Sequence, residues 1–204
     1  MIKETNSIDK NQTSMTYEQA QILVDKYISD QITKMHLRES EVFMRSLAKK
    51  FGESEDEWGI IGLLHDIDWG LTKNNPEEHC VKAEAILKEA GASDFLIETI
   101  MSHGYGLEEI PQLKERRRST RIQYCLAAAE TLTGLIVSSA LVQPDKKLKS
   151  VSLESLKKKF KNKAFAAKCN RNIILECEKA GIPLDEFLQI GLSSLQGISD
   201  ELGL

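Results

Sequence analysis

Leu63-Leu64-His65-Asp66-Ile67-Asp68-Trp69 places an imidazole and a carboxylate side by side at the end of an apolar run. Burying ionisable groups costs free energy unless they are paired or bound to a metal. Histidine nitrogens and carboxylate oxygens are both common ligands of divalent metals. His65 and Asp66 therefore predict one part of a metal site, whose other ligands must come from elsewhere in the chain.

The sequence on both sides of this stretch predicts helices. Apolar residues recur at helical intervals, and no segment shows the sustained alternation that is typical of strands. Thr16-Tyr17-Glu18-Gln19 has the pattern of a capping box at the start of the first helix. We expect an all-α protein, folded as one compact helical bundle.

The domain boundaries follow from composition. Residues 1–15 are polar and aperiodic, which predicts a flexible tail. Residues 16–204 contain no linker, repeat or low-complexity segment, so they predict a single domain. Within it we expect a metal-site core over about residues 20–140 and a C-terminal helical extension over residues 141–204.

Composition also limits the partners. The formal net charge of −4 gives no overall attraction to large nucleic acids or anionic lipids. No apolar run approaches the roughly 20 residues that cross a bilayer, and the N-terminus has no apolar signal core. The four cysteines form no Cys-x-x-Cys pair and are interpreted as reduced thiols. We expect a cytoplasmic protein, without a membrane partner, in which a homodimer is possible.

The chain has four histidines, and each falls on the apolar side of a different predicted helix. A single histidine on such a face is more often a satisfied core residue than a ligand. All four together, with an adjacent aspartate and an isolated acid in the apolar segment 125–140, favour a shared site. The predicted metal ligands are His36, His65, Asp66, His79, His103 and Glu130.

Cys80 follows one of these histidines directly. The sequence predicts a helix with Asn75 as N-cap and Pro76 at its first position, in which His79 shares a buried face with Ala90. Neighbouring residues on a helix point about 100° apart. We therefore expect Cys80 to lie outside the metal site.

The order His … His-Asp … His … His … acid resembles the HD-domain superfamily of metal-dependent phosphohydrolases. The resemblance covers about residues 20–140, and Gly62-Leu63-Leu64-His65-Asp66-Ile67-Asp68 is its specific core. The lysine-rich C-terminal part looks like a run in small uncharacterised members of that family. The resemblance implies an HD-type helical fold and one or two divalent ions, with iron, manganese, nickel, magnesium and zinc left open.

The resemblance also implies how the ligands divide. His36, His65, Asp66 and the acid near residue 130 are expected to hold the first ion. His79 and His103 are expected to hold a second, with Asp66 bridging the two. The sequence departs from the family at Glu130, where aspartate is usual, and at Asp68 and Trp69, where glycine and lysine are frequent. The second departure removes one usual phosphate contact and argues against a cyclic-dinucleotide phosphodiesterase.

The implied activity is hydrolysis of a nucleotide or another small phosphoester by a metal-activated water. Asp66 is the candidate to orient that water, and Asp68 is a candidate for proton transfer, although a solvent-facing loop carboxylate is the plainer interpretation of Asp68. Alternative functions are a di-iron oxygenase of the HD fold and a degenerate module that binds metal or nucleotide without turnover.

A phosphorylated substrate needs cationic partners. Lys34, Arg38 and Lys73 lie close in sequence to the predicted ligands and are candidates to contact phosphate oxygens, although each also fits a solvated surface charge. Tyr105, between two glycines, is a candidate to stack on a base, or else a loop aromatic packed on the protein body.

Overall fold

The structure, a computed structural model, describes residues 12–204, and all regular secondary structure in that range is helical. The predicted all-α fold is therefore confirmed for the described part of the chain. The α-helices are α1 (Tyr17–Tyr27), α2 (Gln31–Phe51), α3 (Glu55–Leu64), α4 (Trp69–Thr72), α5 (Val81–Glu89), α6 (Asp94–Met101), α7 (Arg121–Leu141), α8 (Leu153–Lys161), α9 (Arg171–Ile174), α10 (Leu184–Gly197) and α11 (Ser199–Leu202). Short 3-10 helices cover Pro76–Glu78, Ser102–Gly104, Leu148–Ser150 and Leu175–Glu178.

The helix starts follow the capping signals in the sequence. Thr16 and Gln19 form the predicted capping box of α1, with the Gln19 amide donating to the Thr16 hydroxyl at 3.2 Å. Ser93 caps α6 in the same way, through the amide of Leu96. These side chains satisfy amide groups that a helix leaves unpaired at its start.

The predicted tail, residues 1–15, lies mostly outside the described residues, which begin at Gln12. Within the described part, Thr13 and Met15 are buried. The Ser93 amide donates to the Thr13 carbonyl oxygen at 3.2 Å. Residues 12–15 are therefore packed against the start of α6, and the tail predicted for the preceding residues lies outside the described part of the chain.

The close contact between α2 and α3 determines where the first histidines lie. A Cβ atom at Gly62 would be 2.6 Å from the carbonyl oxygen of Ser40 and 2.9 Å from the Cα of Glu41. Only glycine allows the two helix backbones to approach this closely. The contact brings His36, on α2, next to His65, which follows the last residue of α3.

Helix α7 is the central helix of the core. By length and by a mean hydropathy of 1.4 it also passes as a membrane span, but 61% of that apolar window is buried in the protein. It packs against α2, α6, α8, α9 and α10. These contacts are those of a core helix, and they bring the C-terminal extension against the same core as the N-terminal helices.

The single helix predicted from Pro76 to Ala90 is wrong. The structure has a 3-10 turn at Pro76–Glu78 and an independent helix, α5, that starts at Val81. Between them His79 is extended and Cys80 has a φ of +65°, which is uncommon for a side chain other than glycine. Ala90 is exposed at the end of α5 instead of sharing a buried face with His79.

Candidate metal centre

Three of the four histidines, His36, His79 and His103, line one cavity of about 490 Å³, and the fourth, His65, contacts His36, although all four come from separate elements of the chain. His36 lies on α2, His65 directly after α3, His79 in the break before α5 and His103 in the 3-10 turn after α6. Asp66, next to His65, also lines this cavity. The predicted convergence of these side chains is therefore present in the structure.

His36, His65 and Asp66 form the first ligand group. Their ligand atoms lie within 4.8 Å of one another. The two Nε2 atoms of His36 and His65 are 3.1 Å apart, and Asp66 Oδ2 is 3.8 Å from the His36 Nε2. Two imidazoles and a carboxylate form a donor set suited to a divalent ion.

His79, Cys80 and His103 form the second ligand group, and all three are buried. The Nε2 atoms of His79 and His103 are 3.0 Å apart, and Cys80 Sγ lies 3.6 Å from the His103 Nε2. The prediction that Cys80 would lie outside the site is wrong. It assumed helical geometry, whereas the left-handed backbone at Cys80 points its thiol to the same side as the His79 ring.

The Asp66 carboxylate lies between the two groups. Its Oδ1 is 3.4 Å from the Nε2 of His79 and 3.3 Å from that of His103, while its Oδ2 is directed at His36. Burial alone would raise the pKa of Asp66, but the imidazoles of His65, His103 and His79 hold it well below its usual range. The carboxylate is therefore ionised and accessible to both groups.

Backbone carbonyls fix the orientation of two of the rings. His65 Nδ1 donates to the Gly62 oxygen at 2.8 Å, and His103 Nδ1 donates to the Ile100 oxygen at 2.6 Å. Because a carbonyl can only accept, each Nδ1 must carry a proton. Burial lowers the pKa of His65 to about 3, so its ring is neutral and its Nε2 keeps a free lone pair.

Asp68 fixes the third ring. It is fully buried, and its Oδ1 accepts from His79 Nδ1 at 2.9 Å while its Oδ2 accepts from the Ala83 amide at 3.1 Å. Burial lowers the pKa of His79, but Asp68, Cys80 and Asp66 together outweigh burial and raise that pKa to about 10. The interpretation of Asp68 as a solvent-facing carboxylate is wrong: it orients a ligand, as carboxylates behind metal-bound histidines commonly do.

Thr133, on α7, fixes the fourth ring. Its hydroxyl donates to the Glu130 carbonyl oxygen at 2.8 Å, so it accepts the proton of His36 Nδ1 at 3.1 Å. Only the His36 Nε2 is then left to face Asp66 and His65. Sequence reasoning missed Thr133, which had no signal beyond its place one helical turn after Glu130.

The paired nitrogens supply a test of whether a metal fits. At 3.0 Å and 3.1 Å, two Nε2 atoms of neutral rings would point lone pairs at each other. Such buried pairs are unfavourable unless a cation, either a proton or a metal ion, lies between them. The residues present, including the thiol and the shared carboxylate, therefore fit a metal centre.

Glu130 lines the same cavity but belongs to neither ligand group among the described residues. Its Oε1 accepts a hydrogen bond from the Thr131 hydroxyl at 2.5 Å. Burial raises the pKa of Glu130, against the opposing influence of His103 and His36. The structure thus places the predicted sixth ligand at the cavity wall, beside the two groups.

Lys34 and Arg38 do not reach this cavity, so their predicted contact with substrate there is wrong. Lys34 pairs with Asp25 at 2.7 Å, and Arg38 pairs with Glu41 and Glu201, both at 2.9 Å. Each is two residues from His36 along α2. Two residues on a helix correspond to a rotation of about 200°, which directs these side chains away from the face that carries the histidine.

Lys73 and Tyr105 are also placed elsewhere. Lys73 is exposed just after α4 and is not part of the cavity lining. Tyr105 is 2% exposed, its hydroxyl donates to Glu98 at 2.5 Å, and the Arg116 guanidinium covers its ring at 4.4 Å from the centroid. Its aromatic surface is used in packing, so the predicted stacking on a base is wrong, as is the phosphate contact predicted for Lys73.

The residues that complete the cavity wall come from parts of the chain that sequence reasoning did not consider. Lys168, Cys169, Asn170 and Ile173 line it from the C-terminal extension. The remaining wall consists of the apolar and aromatic residues Trp69, Pro76, Leu107 and Ile110, together with Glu109, Thr131 and Gly134.

Comparison of the chain with protein-family models, with curated proteins and with solved structures gave no match. The arrangement of the ligand atoms is therefore the main evidence on what this protein does.

Proposed function

We propose that this chain is a metal-dependent phosphohydrolase of the HD-domain type, acting on a nucleotide or another small phosphoester. The observation that carries the proposal is the position of Asp66, whose carboxylate oxygens lie 3.3 to 3.8 Å from the Nε2 atoms of all four histidines, in both ligand groups. Carboxylate-linked pairs of divalent ions are frequent in enzymes that hydrolyse phosphate esters. The resemblance of the His-Asp core to that superfamily agrees with this arrangement.

The donor atoms narrow the choice of ion. The first group offers two nitrogens and an oxygen, and the second offers two nitrogens and a sulfur. Thiolate ligands favour iron, nickel or zinc over magnesium and manganese, which prefer oxygen. A bound divalent ion of this kind lowers the pKa of a coordinated water to about 7 and so supplies hydroxide at neutral pH.

The acidic residues then have different roles. Asp66 keeps its charge and is placed to orient the attacking water while it faces both groups. Both oxygens of Asp68 are occupied by His79 and Ala83, so we assign it to positioning His79 and not to proton transfer. Burial raises the pKa of Glu130, which lines the cavity beside the ligand groups, so we assign it the role of the acid that protonates the leaving oxygen.

The cavity suits a small organic phosphate. Its volume of about 490 Å³ falls within the roughly 300–1,000 Å³ that is typical of small-ligand sites. Trp69, which contacts the His79 ring edge-on at 5.3 Å between centroids, and Ile110 provide an apolar surface beside the ligands. Such a surface accepts the organic part of an ester while the phosphate meets the ligand groups.

The test is metal analysis of protein purified without chelator, joined to phosphate release from a panel of nucleotides and simple phosphomonoesters. We expect stoichiometric metal, and phosphate release that a chelator stops and the same ion restores. Oxygen uptake without phosphate release would favour the di-iron oxygenase instead. Bound metal and tight nucleotide binding without turnover of any compound would favour the binding module and contradict hydrolysis.

A further inference from the structure

Arg171, in the C-terminal extension, has a guanidinium that is buried without any carboxylate partner among the described residues. All its hydrogen bonds go to backbone carbonyl oxygens, at distances between 2.5 and 3.3 Å. The six acceptors are Lys159, Phe160, Asn162, Phe165, Ala166 and Cys169.

This arrangement holds residues 159–171 together as one loop, which we call the arginine-centred loop. A guanidinium presents five N–H donors in a rigid plane, so a set of carbonyls that converges on it is fixed in position. The loop has little regular structure of its own after the end of α8 at Lys161, and Ala166 has a φ of +47°. Its shape therefore depends on Arg171.

The arginine-centred loop packs against α7 beside the metal cavity. A Cβ atom at Gly134 would lie 3.1 Å from Cys169 Sγ, so the absence of a side chain there lets the loop approach. The contact sets Lys168, Cys169 and Asn170 into the cavity wall beside Glu130.

Lys168 is the only lysine or arginine that lines this cavity within residues 12–204. The other charged residues in the lining, apart from the histidines, are acidic: Asp66, Glu109 and Glu130. Lys168 is exposed and has no ion-pair partner among the described residues. The unpaired Lys168 ammonium attracts the negative charge of a small anion that enters this otherwise acidic cavity.

We propose that Lys168 binds a phosphate oxygen of the substrate and that the cavity selects compounds with one phosphate group over di- and triphosphates. The proposal rests on the proposed phosphohydrolase function and adds a residue and a substrate class to it. The two ligand groups and Lys168 together can bind one phosphate group. A di- or triphosphate would place additional negative charges near Glu109, and Lys168 is the only lysine or arginine that lines this cavity among the described residues.

The experiment compares wild type with Lys168→Ala, Lys168→Arg and Lys163→Ala. Lys163 lies on the same loop but outside the metal cavity, so its substitution removes the same charge from a neighbouring place. Each protein is saturated with the ion that co-purifies with wild type, and its metal content is measured. Binding of inorganic phosphate is then followed by calorimetry, and hydrolysis of a nucleoside monophosphate is compared with hydrolysis of the corresponding triphosphate.

We expect Lys168→Ala to weaken phosphate binding about tenfold, because it removes a charged hydrogen-bond donor. Metal content should not change, Lys168→Arg should retain most of the affinity, and Lys163→Ala should resemble wild type. Wild type should hydrolyse the monophosphate with a kcat/KM at least about tenfold above that for the triphosphate, given the repulsion between like charges.

The outcomes separate this inference from the proposed function. Hydrolysis with unchanged phosphate affinity in Lys168→Ala, or a preference for the triphosphate, would overturn the inference and leave the phosphohydrolase proposal intact. Wild type that does not bind phosphate would also overturn it. Phosphate binding that depends on Lys168, in a protein that hydrolyses no phosphoester, would support the anion site and contradict the proposed function.

Discussion

The two ligand groups share Asp66 but are built differently. The first is held by regular helices, since His36 lies on α2, Thr133 lies on α7 and His65 directly follows α3, and the His36 side chain is 28% exposed. The second is held by irregular backbone, with Cys80 at a φ of +65°, and all three of its residues are buried. We infer that the drier, sulfur-containing second group binds its ion more tightly than the first.

The largest effect should come from removing the acid that the two groups share. Asp66→Asn keeps the shape of the side chain but loses its charge, and we expect metal affinity to fall at both groups by on the order of 100-fold. Metal content measured by mass spectrometry should drop while the circular dichroism of the helices is unchanged. Asp25→Asn, an exposed aspartate paired only with Lys34, serves as the control. Full metal content in Asp66→Asn would contradict the shared role.

Cys80→Ser should separate the two groups. It replaces the one sulfur ligand, so we expect metal content to fall by about one ion per chain, with the first group still occupied. In cobalt-substituted protein the thiolate-to-metal absorption band should be lost. Cys169→Ser is the matched control, because Cys169 lines the same cavity but belongs to neither group. A band that persists in Cys80→Ser would exclude Cys80 as a ligand.

Asp68→Asn should weaken only the second group. The substitution removes the charge that orients His79, and losses of about 10- to 100-fold in metal affinity are typical of such positions. Competition with a chromogenic chelator should show one weakened site and one unchanged site. Equal weakening at both sites would mean that Asp68 acts on the cavity as a whole.

Thr133→Val should give the corresponding, smaller loss at the first group. It removes a neutral acceptor of the His36 Nδ1 proton without changing charge, so we expect about a tenfold loss of metal affinity there. The same chelator competition measures it. A larger loss at the second group would contradict the assignment of His36 to the first.

The smallest expected effect is the release of protons when a metal ion binds to the second group. Without an ion, His79 with a pKa of about 10 holds a proton at neutral pH, which an entering metal must displace. Affinity of the second group should therefore rise with pH up to about that pKa, by about tenfold per unit for each proton displaced. Calorimetry in buffers of different ionisation enthalpy measures the release. Release of no proton at neutral pH would show that His79 is not displaced by the ion.

The sequence was sufficient to predict the helical fold and the meeting of the four histidines with Asp66. Both follow from spacing and from the chemistry of ligand side chains. The place of Cys80 could not be predicted, because its left-handed backbone is a local exception to helical geometry. The substrate contacts predicted for Lys34 and Arg38 were wrong, because the prediction treated nearness in sequence to His36 as nearness in space.

The roles of Thr133 and Lys168 depend on contacts between distant parts of the chain. Thr133 meets a histidine 97 residues earlier in the chain, and Lys168 reaches the cavity only through the arginine-centred loop. Neither residue type is unusual at its position, so no pattern within a short window indicates either role.

All six residues of the two ligand groups lie between His36 and His103, whereas Lys168, Cys169, Asn170 and Ile173 line the cavity from the C-terminal extension. The arginine-centred loop is held mainly by Arg171 binding to main-chain oxygens, so its shape does not depend on the side chain of Lys168. Replacements at Lys168, Cys169 or Asn170 can therefore change which molecules enter without moving any ligand. In the proposed enzyme, substrate selection and metal binding therefore lie in different segments of the chain, and one can change without the other.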